Sequence, residues 1–177
     1  FNDGTDYLKG GIYLKPRLFT LANYKAIFRD KNIINSFFIT AMKALLGTVS
    51  SLLVTSLAAY GLTRPRLKFK GYYMTFMMFT MYFGGGLIPY FILIKNLGLY
   101  DNFLVYIIPG LFSVWNMIII RSFFVELPAS LIESAKMDGA SEYLIFFKIV
   151  IPLSKAVLAA IALFTIVGHW NSFFDSM

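Results

Sequence analysis

Four stretches of the chain carry no Asp, Glu, Lys or Arg: residues 44–63, 72–94, 103–120 and 156–174. Each has roughly the 17–25 residues that an α-helix needs to cross the hydrocarbon layer of a bilayer. The reading is an all-α polytopic membrane bundle, with helices at about 33–63, 72–94, 103–122 and 153–175. Composition agrees: 58% of the 177 residues are hydrophobic, 14% are charged and the mean hydropathy is +0.70, which places the chain outside the soluble range.

Residues 1–32 are mixed and polar, with Gly4, Gly10, Gly11 and Pro16 as breakers, and read as an extracytoplasmic loop with a short helix near Leu21–Phe28. Residues 33–177 form the transmembrane domain. Because the chain opens at Phe1 and stops at Met177 just past an apolar run, it is expected to be an internal piece of a longer protein. The net charge is +7, and its densest basic cluster is Arg64, Arg66, Lys68 and Lys70 beside a helix end. Basic residues collect where membrane loops face the cytoplasm, so no nucleic-acid partner is expected and the 64–71 loop is placed inside. With zero cysteines and one histidine, no metal site is expected either.

Several residues interrupt the apolar runs. Gly84, Gly85, Gly86 and Pro89 remove side-chain packing and one backbone donor from the middle of the second run, which should kink or unwind there. The third run carries Pro109 and Gly110 toward its outer end, and Asn116, further in, should face protein or a cavity. Lys43 lies about 20 residues before the stop at Arg64-Pro65, close to the opposite interface, where its stem can snorkel.

Between the last two runs, residues 121–155 hold Arg121, Glu126, Glu133, Lys136, Asp138, Glu142, Lys148 and Lys155, too many charges for a span. Pro128 suits the first turn of a helix, Gly139 a left-handed residue that ends it, and Ser141 the cap of the next. The result is helix, tight turn, helix, with Glu133 and Lys136 spaced to pair on one face. From these features alone an ordinary amphipathic interfacial hairpin is the better fit.

The spacing of Glu133-Ser134-Ala135, three residues, Gly139, nine residues, then Ile149-Val150-Ile151-Pro152 resembles the EAA loop of membrane subunits of ATP-binding-cassette (ABC) importers. The family's usual loop has Ala at the second position and Leu before the proline, so Ser134 and Ile151 depart from it. Phe83–Pro89, Ile108-Pro109-Gly110, Asn116–Phe124 and Val167–Asp175 resemble the carbohydrate branch, and within it the permeases for complex oligosaccharides of the alginate and pectin-fragment type. The resemblance implies the type I ABC importer permease fold, with loop 126–152 as a cytoplasmic coupling helix and the first and last of six transmembrane helices missing. It also implies a second homologous permease subunit, two ATPase subunits carrying ATP and Mg, and an extracytoplasmic sugar-binding protein.

On this reading the chain makes and breaks no covalent bond and has no catalytic residue. No G-x-x-x-x-G-K-[ST] pattern is present, so hydrolysis belongs to a separate ATPase subunit and no cofactor belongs to this chain. Glu133, Ser134, Ala135, Asp138 and Gly139 are assigned to ATPase coupling. Tyr82, Tyr90, Asn116, His169, Trp170 and Asn171 are candidates for the sugar path, since sugars need hydroxyl partners and flat apolar faces. Asn and Trp within membranes also bridge helices or sit at lipid interfaces, and both readings of these six stay open. Two other functions compete: an ion-coupled secondary transporter, which needs buried carboxylates that the four runs lack, and a non-transporting membrane scaffold.

Overall fold

The computed structural model describes residues 20–172; the readings made for residues 1–19 and 173–177 lie outside it. Contacts group the chain into two units, residues 1–41 and 42–177, which meet within one helix. In the first unit, helix α1 (Ala22–Arg29) follows Thr20, whose Oγ1 accepts a hydrogen bond from the Ala22 N–H at 3.1 Å. Asp30 ends α1 with an extended ψ of 109°, and its carboxylate accepts from the Asn32 N–H at 2.9 Å. That bond caps the start of α2 (Lys31–Thr63), which continues into the second unit.

The second unit then holds α3 (Lys70–Met81), α4 (Leu87–Asn96), two 3-10 turns (Phe103–Tyr106 and Ile108–Gly110), α5 (Val114–Glu126) and α6 (Ala129–Met137). It ends with α7 (Glu142–Ile145), a π-helical turn (Phe146–Val150), α8 (Ile151–Leu153) and α9 (Lys155–Asn171). Among the described residues only α2, at 33 residues, is long and apolar enough to cross a membrane unaided. Two bent pairs also pass if each counts as one broken span: Phe103–Gly110 with Val114–Glu126, bent by 49°, and Glu142–Leu153 with Lys155–Asn171, bent by 81°.

The sequence suggests four helices of spanning length, and the difference has local causes. Over 72–94 the chain forms two pieces, α3 and α4, separated at Gly84-Gly85-Gly86, where Gly86 has φ 80° and ψ 177°. That conformation suits only glycine. Pro89 falls in the first turn of α4, where a missing N–H is tolerated. Over 103–122 the α-helix begins at Val114, because Ser113 takes an extended backbone and its Oγ accepts from the Asn116 N–H at 3.3 Å. Beyond Pro152 the chain turns at Ser154 before α9 starts at Lys155.

One apolar core gathers at the α2 end that faces the projecting loop. Ala59, Tyr60 and Leu62 of α2 meet Met117, Ile120 and Phe124 of α5, Ile145, Phe146 and Val150 around the π-helical turn, and Val157 and Ile161 of α9. The Tyr60 and Phe146 rings lie 5.1 Å apart, tilted by 54°. Ile132 and Ala135 of α6 pack against this cluster from outside, so the projecting helix rests on the core. Between Lys43 and Ala59 the buried residues of α2 are small: Ala44, Gly47, Thr48, Ser51, Thr55 and Ser56. Small residues let helix backbones approach closely in lipid.

Phe146 is the largest fully buried side chain and joins the loop segment to α2. Phe146→Ala is expected to cost about 3–5 kcal/mol, read as a lowered thermal midpoint of the purified protein in detergent. Phe147→Ala, at an exposed neighbour, should shift the midpoint far less.

Candidate functional site

The projection between α5 and α9 is built from its turn outward. Pro128, at φ -57°, stands just before α6, and the helix closes in a two-bond cap beyond Met137. The Ala140 N–H donates to the Ala135 carbonyl at 2.9 Å, the Gly139 N–H donates to the Lys136 carbonyl at 3.0 Å, and Gly139 has φ +78°. This is the Schellman arrangement, which requires a left-handed residue at that point. Ser141 then caps α7 by accepting from the Leu144 N–H at 3.3 Å.

Of the five residues assigned to coupling, Glu133, Ser134, Asp138 and Gly139 are exposed, whereas Ala135 is half-buried and turned toward the core. Two residues that the sequence reading passed over stand out beside them: Met137 is 88% exposed and Tyr143 73%. They put apolar tips on either side of the glycine turn. The only sequence signal for them is position, as apolar residues within a charged segment.

Lys136 does not pair with Glu133. Its ammonium lies 2.7 Å from Glu142 Oε1, because the turn at Gly139 folds α7 back beside the end of α6. The second oxygen, Oε2, accepts from the Tyr60 hydroxyl at 2.6 Å and lies 3.7 Å from Arg64 Nη1. Arg64 stacks over the Tyr60 ring at 4.1 Å and donates through Nε and Nη2 to Thr63 Oγ1. One carboxylate thus joins the end of α6, the start of α7 and the end of α2. The Lys136 and Tyr60 hydrogen bonds hold the Glu142 carboxyl below the ordinary glutamate value, in that order of size and against a smaller effect of burial.

Beside the middle of α2, at Gly47, His169 of α9 lies against two glycines. A Cβ on Gly47 would start 2.7 Å from His169 Nε2, and one on Gly110 would start 3.3 Å from Cε1. Lys43, one turn before Gly47, is 4% exposed rather than snorkelled outward. Its ammonium donates to the Ser172 carbonyl at 3.0 Å and sits 4.9 Å from the Tyr106 ring centre. A cation at the carbonyl end of α9 complements the helix dipole, and it ties α2, the first 3-10 turn and α9 together.

Asn116 turns its amide to Thr165 Oγ1 of α9 at a long 3.5 Å, an interhelical bridge. Trp170 and Asn171 are exposed on the last turn of α9, and Tyr82 is exposed just after α3. Tyr90 lines a shallow recess of about 520 Å³ at the glycine break, with Gly85, Gly86, Leu87, Pro89 and Leu93. Among the described residues no three His, Asp or Glu side chains are grouped as a metal ion would require.

Residues 52–174 match the family described as binding-protein-dependent transport system inner membrane component. The chain is 41% identical over 93% of its length to the polygalacturonan/rhamnogalacturonan transport system permease protein YtcP of Bacillus subtilis, and covers 57% of that protein. It is 39% identical, again over 93% of its length, to protein LplC of the same organism, of which it covers 56%. Among solved structures, a bacterial ABC transporter involved in the import of the acidic polysaccharide alginate superposes with a TM-score of 0.91 at 33% identity. That match covers 98% of this chain and 62% of the other. The chain therefore spans little more than half the length of the two Bacillus relatives.

Two outcomes are expected from this geometry. Gly47→Ala should cost about 1–3 kcal/mol by overpacking, seen as a lower thermal midpoint, and His169→Ala in the same chain should remove most of that loss. The Glu142 contacts should show an acid-side pH dependence. A carboxyl held low in the folded chain stabilises it above its unfolded value of about 4.3, and the effect is lost as pH falls through the depressed folded value. Glu142→Gln should therefore lower the thermal midpoint most near neutrality and progressively less in acid; a deficit independent of pH would contradict the ionic contact.

Proposed function

The chain belongs to the inner membrane components of binding-protein-dependent transport systems, and from that premise we propose that it is the membrane-spanning part of a permease subunit in an ATP-driven importer of an oligosaccharide or modified sugar. A single observation carries this: a short helix stands off the bundle on a Schellman turn, shows a charged and apolar-tipped face to the outside, and rests its other face on the core. Such an element suits a protein partner better than lipid. The sugar class is supported by relatives whose names refer to polygalacturonan, arabinooligosaccharides and galactooligosaccharides.

In this reading Glu133, Ser134, Asp138 and Gly139, joined by Met137 and Tyr143, form the surface that docks on an ATPase subunit. Ala135 supports it from the inner side. ATP and Mg belong to that subunit, two copies of which serve this chain and a second homologous permease, while an extracytoplasmic binding protein delivers the sugar. Nucleotide binding biases the permease only if the docked surface makes different contacts in its two states. Sugar passes between the two permeases by alternating access, and His169, Trp170 and Asn171 at the end of α9, with Tyr82, Tyr90 and Asn116, are this chain's candidates to line the route.

The reading is tested in proteoliposomes holding the full-length subunits and labelled polygalacturonan oligosaccharides. Uptake by the wild-type complex should require ATP and not an ion gradient. Gly139→Val forces a β-branched residue into a left-handed conformation, a strain of about 1–3 kcal/mol at the docking turn, and should abolish uptake while the subunit still inserts in the membrane. Wild-type uptake by the variant would overturn the docking assignment.

A further inference from the structure

Glu142 lies at a junction that neither the coupling surface nor the sugar path uses. Its carboxylate receives Lys136 from the last turn of α6 and Tyr60 from the last turns of α2, with Arg64 close by. Lys136 keeps 41% of its side-chain exposure and Glu142 48%. Ion pairs this open contribute about 0–1 kcal/mol to stability. Contacts of that size are poor fasteners but easily exchanged, since they can break and re-form without unfolding the elements they join.

Two continuous paths leave this junction. One is α2, on which Tyr60 and Gly47 are thirteen residues apart, about 20 Å at 1.5 Å per residue. The other runs from Glu142 through α7, the π-helical turn and α8, bends by 81° and continues as α9 to His169. They meet again where His169 lies against Gly47. A shift between α6 and α2 at Glu142 therefore changes how the end of α9 can sit against the middle of α2.

We propose that Glu142 is the positioning residue that passes movement of the α6 docking helix to α2, through Tyr60 and Lys136, and so to the His169 end of the bundle. The inference rests on the importer reading above. In the arrangement seen, Lys136 and Tyr60 share the carboxylate with Arg64 close by; when α6 is drawn toward its partner, Lys136 leaves with it and Tyr60 and Arg64 retain the charge.

The test uses the full complex in proteoliposomes. The chain contains no cysteine, so Val167→Cys, exposed on α9 two residues before His169, reports movement there through its maleimide labelling rate with and without ATP, with the other subunits free of reactive thiols. In the otherwise wild-type complex ATP should change that rate. Glu142→Gln, which keeps volume and loses charge, should reduce the ATP-dependent change per ATP hydrolysed about fivefold to tenfold, and Glu142→Asp should recover part of it. An undiminished change in Glu142→Gln overturns the proposal. If that variant does not assemble, Tyr60→Phe, which deletes one oxygen and leaves the ring against Phe146, takes its place, and an undiminished change there overturns it as well. A parent complex whose labelling ignores ATP overturns instead the importer reading beneath it.

Discussion

Helices in hydrocarbon gain little from burying apolar side chains on one another, because lipid tails are as apolar as leucine. They associate where their surfaces allow close approach, and α2 has such a surface along its length. Between Lys43 and Tyr60 its buried positions, Ala44, Gly47, Thr48, Ser51, Thr55, Ser56 and Ala59, are all small. At its middle Gly47 admits the His169 ring against its backbone; toward its end Ala59 and Tyr60 join Phe146 in the core. The other elements of the second unit are short, bent or broken. α2 is none of these, and it meets α5, the π-helical turn and α9 in the core at Ala59, Tyr60 and Leu62.

The stiff and yielding parts of the fold are different in kind. The core around Phe146, Met117 and Ile120 is close-packed side chain, and deforming it costs several kcal/mol through lost contact. At the bend, Ser154 is buried with its Oγ free of any hydrogen-bond partner, so nothing there pins the angle through that side chain. The glycine break between α3 and α4 has open space beside Gly84 and Gly86. The Glu142 contacts are solvent-accessible and weak. Rigid pieces joined at soft places are what a protein with two arrangements needs, because packed interfaces switch between states and do not stretch.

Much of this was legible in the sequence where a local rule decides structure. Gly139 and Ser141 mark a helix end and a helix start by backbone chemistry that needs only neighbouring residues, and Gly84-Gly85-Gly86 marks a break for the same reason. Expectations that depended on distant residues went differently. Lys43 was placed at the interface because a lone lysine in an apolar run can snorkel; the carbonyl end of α9, 129 residues on, draws it inward. Lys136 was matched to Glu133 by helical spacing, but the turn at Gly139 brings Glu142 nearer. The residues of the Glu142 junction left one local trace, the four-residue spacing of Tyr60 and Arg64 that puts them on one face. The fit of His169 between Gly47 and Gly110 left none, since two glycines far apart in the chain show no sign of facing the same ring.

Linkage turns the two paths into a constraint on the whole cycle. If docking at α6 changes the relation of His169 to Gly47, then whatever binds at that end must change the strength of docking by the same factor, because equilibrium coupling between two sites is reciprocal. A sugar, or the protein that delivers it, then needs no contact with the ATPase to influence it. It has only to prefer one of the two arrangements of α2 and α9. The size of that preference is limited by the weakest joint on the route. Contacts of about 0–1 kcal/mol at Glu142 pass only a modest bias each, so strong coupling requires the route through α8 and the bend to act together with the route through α2.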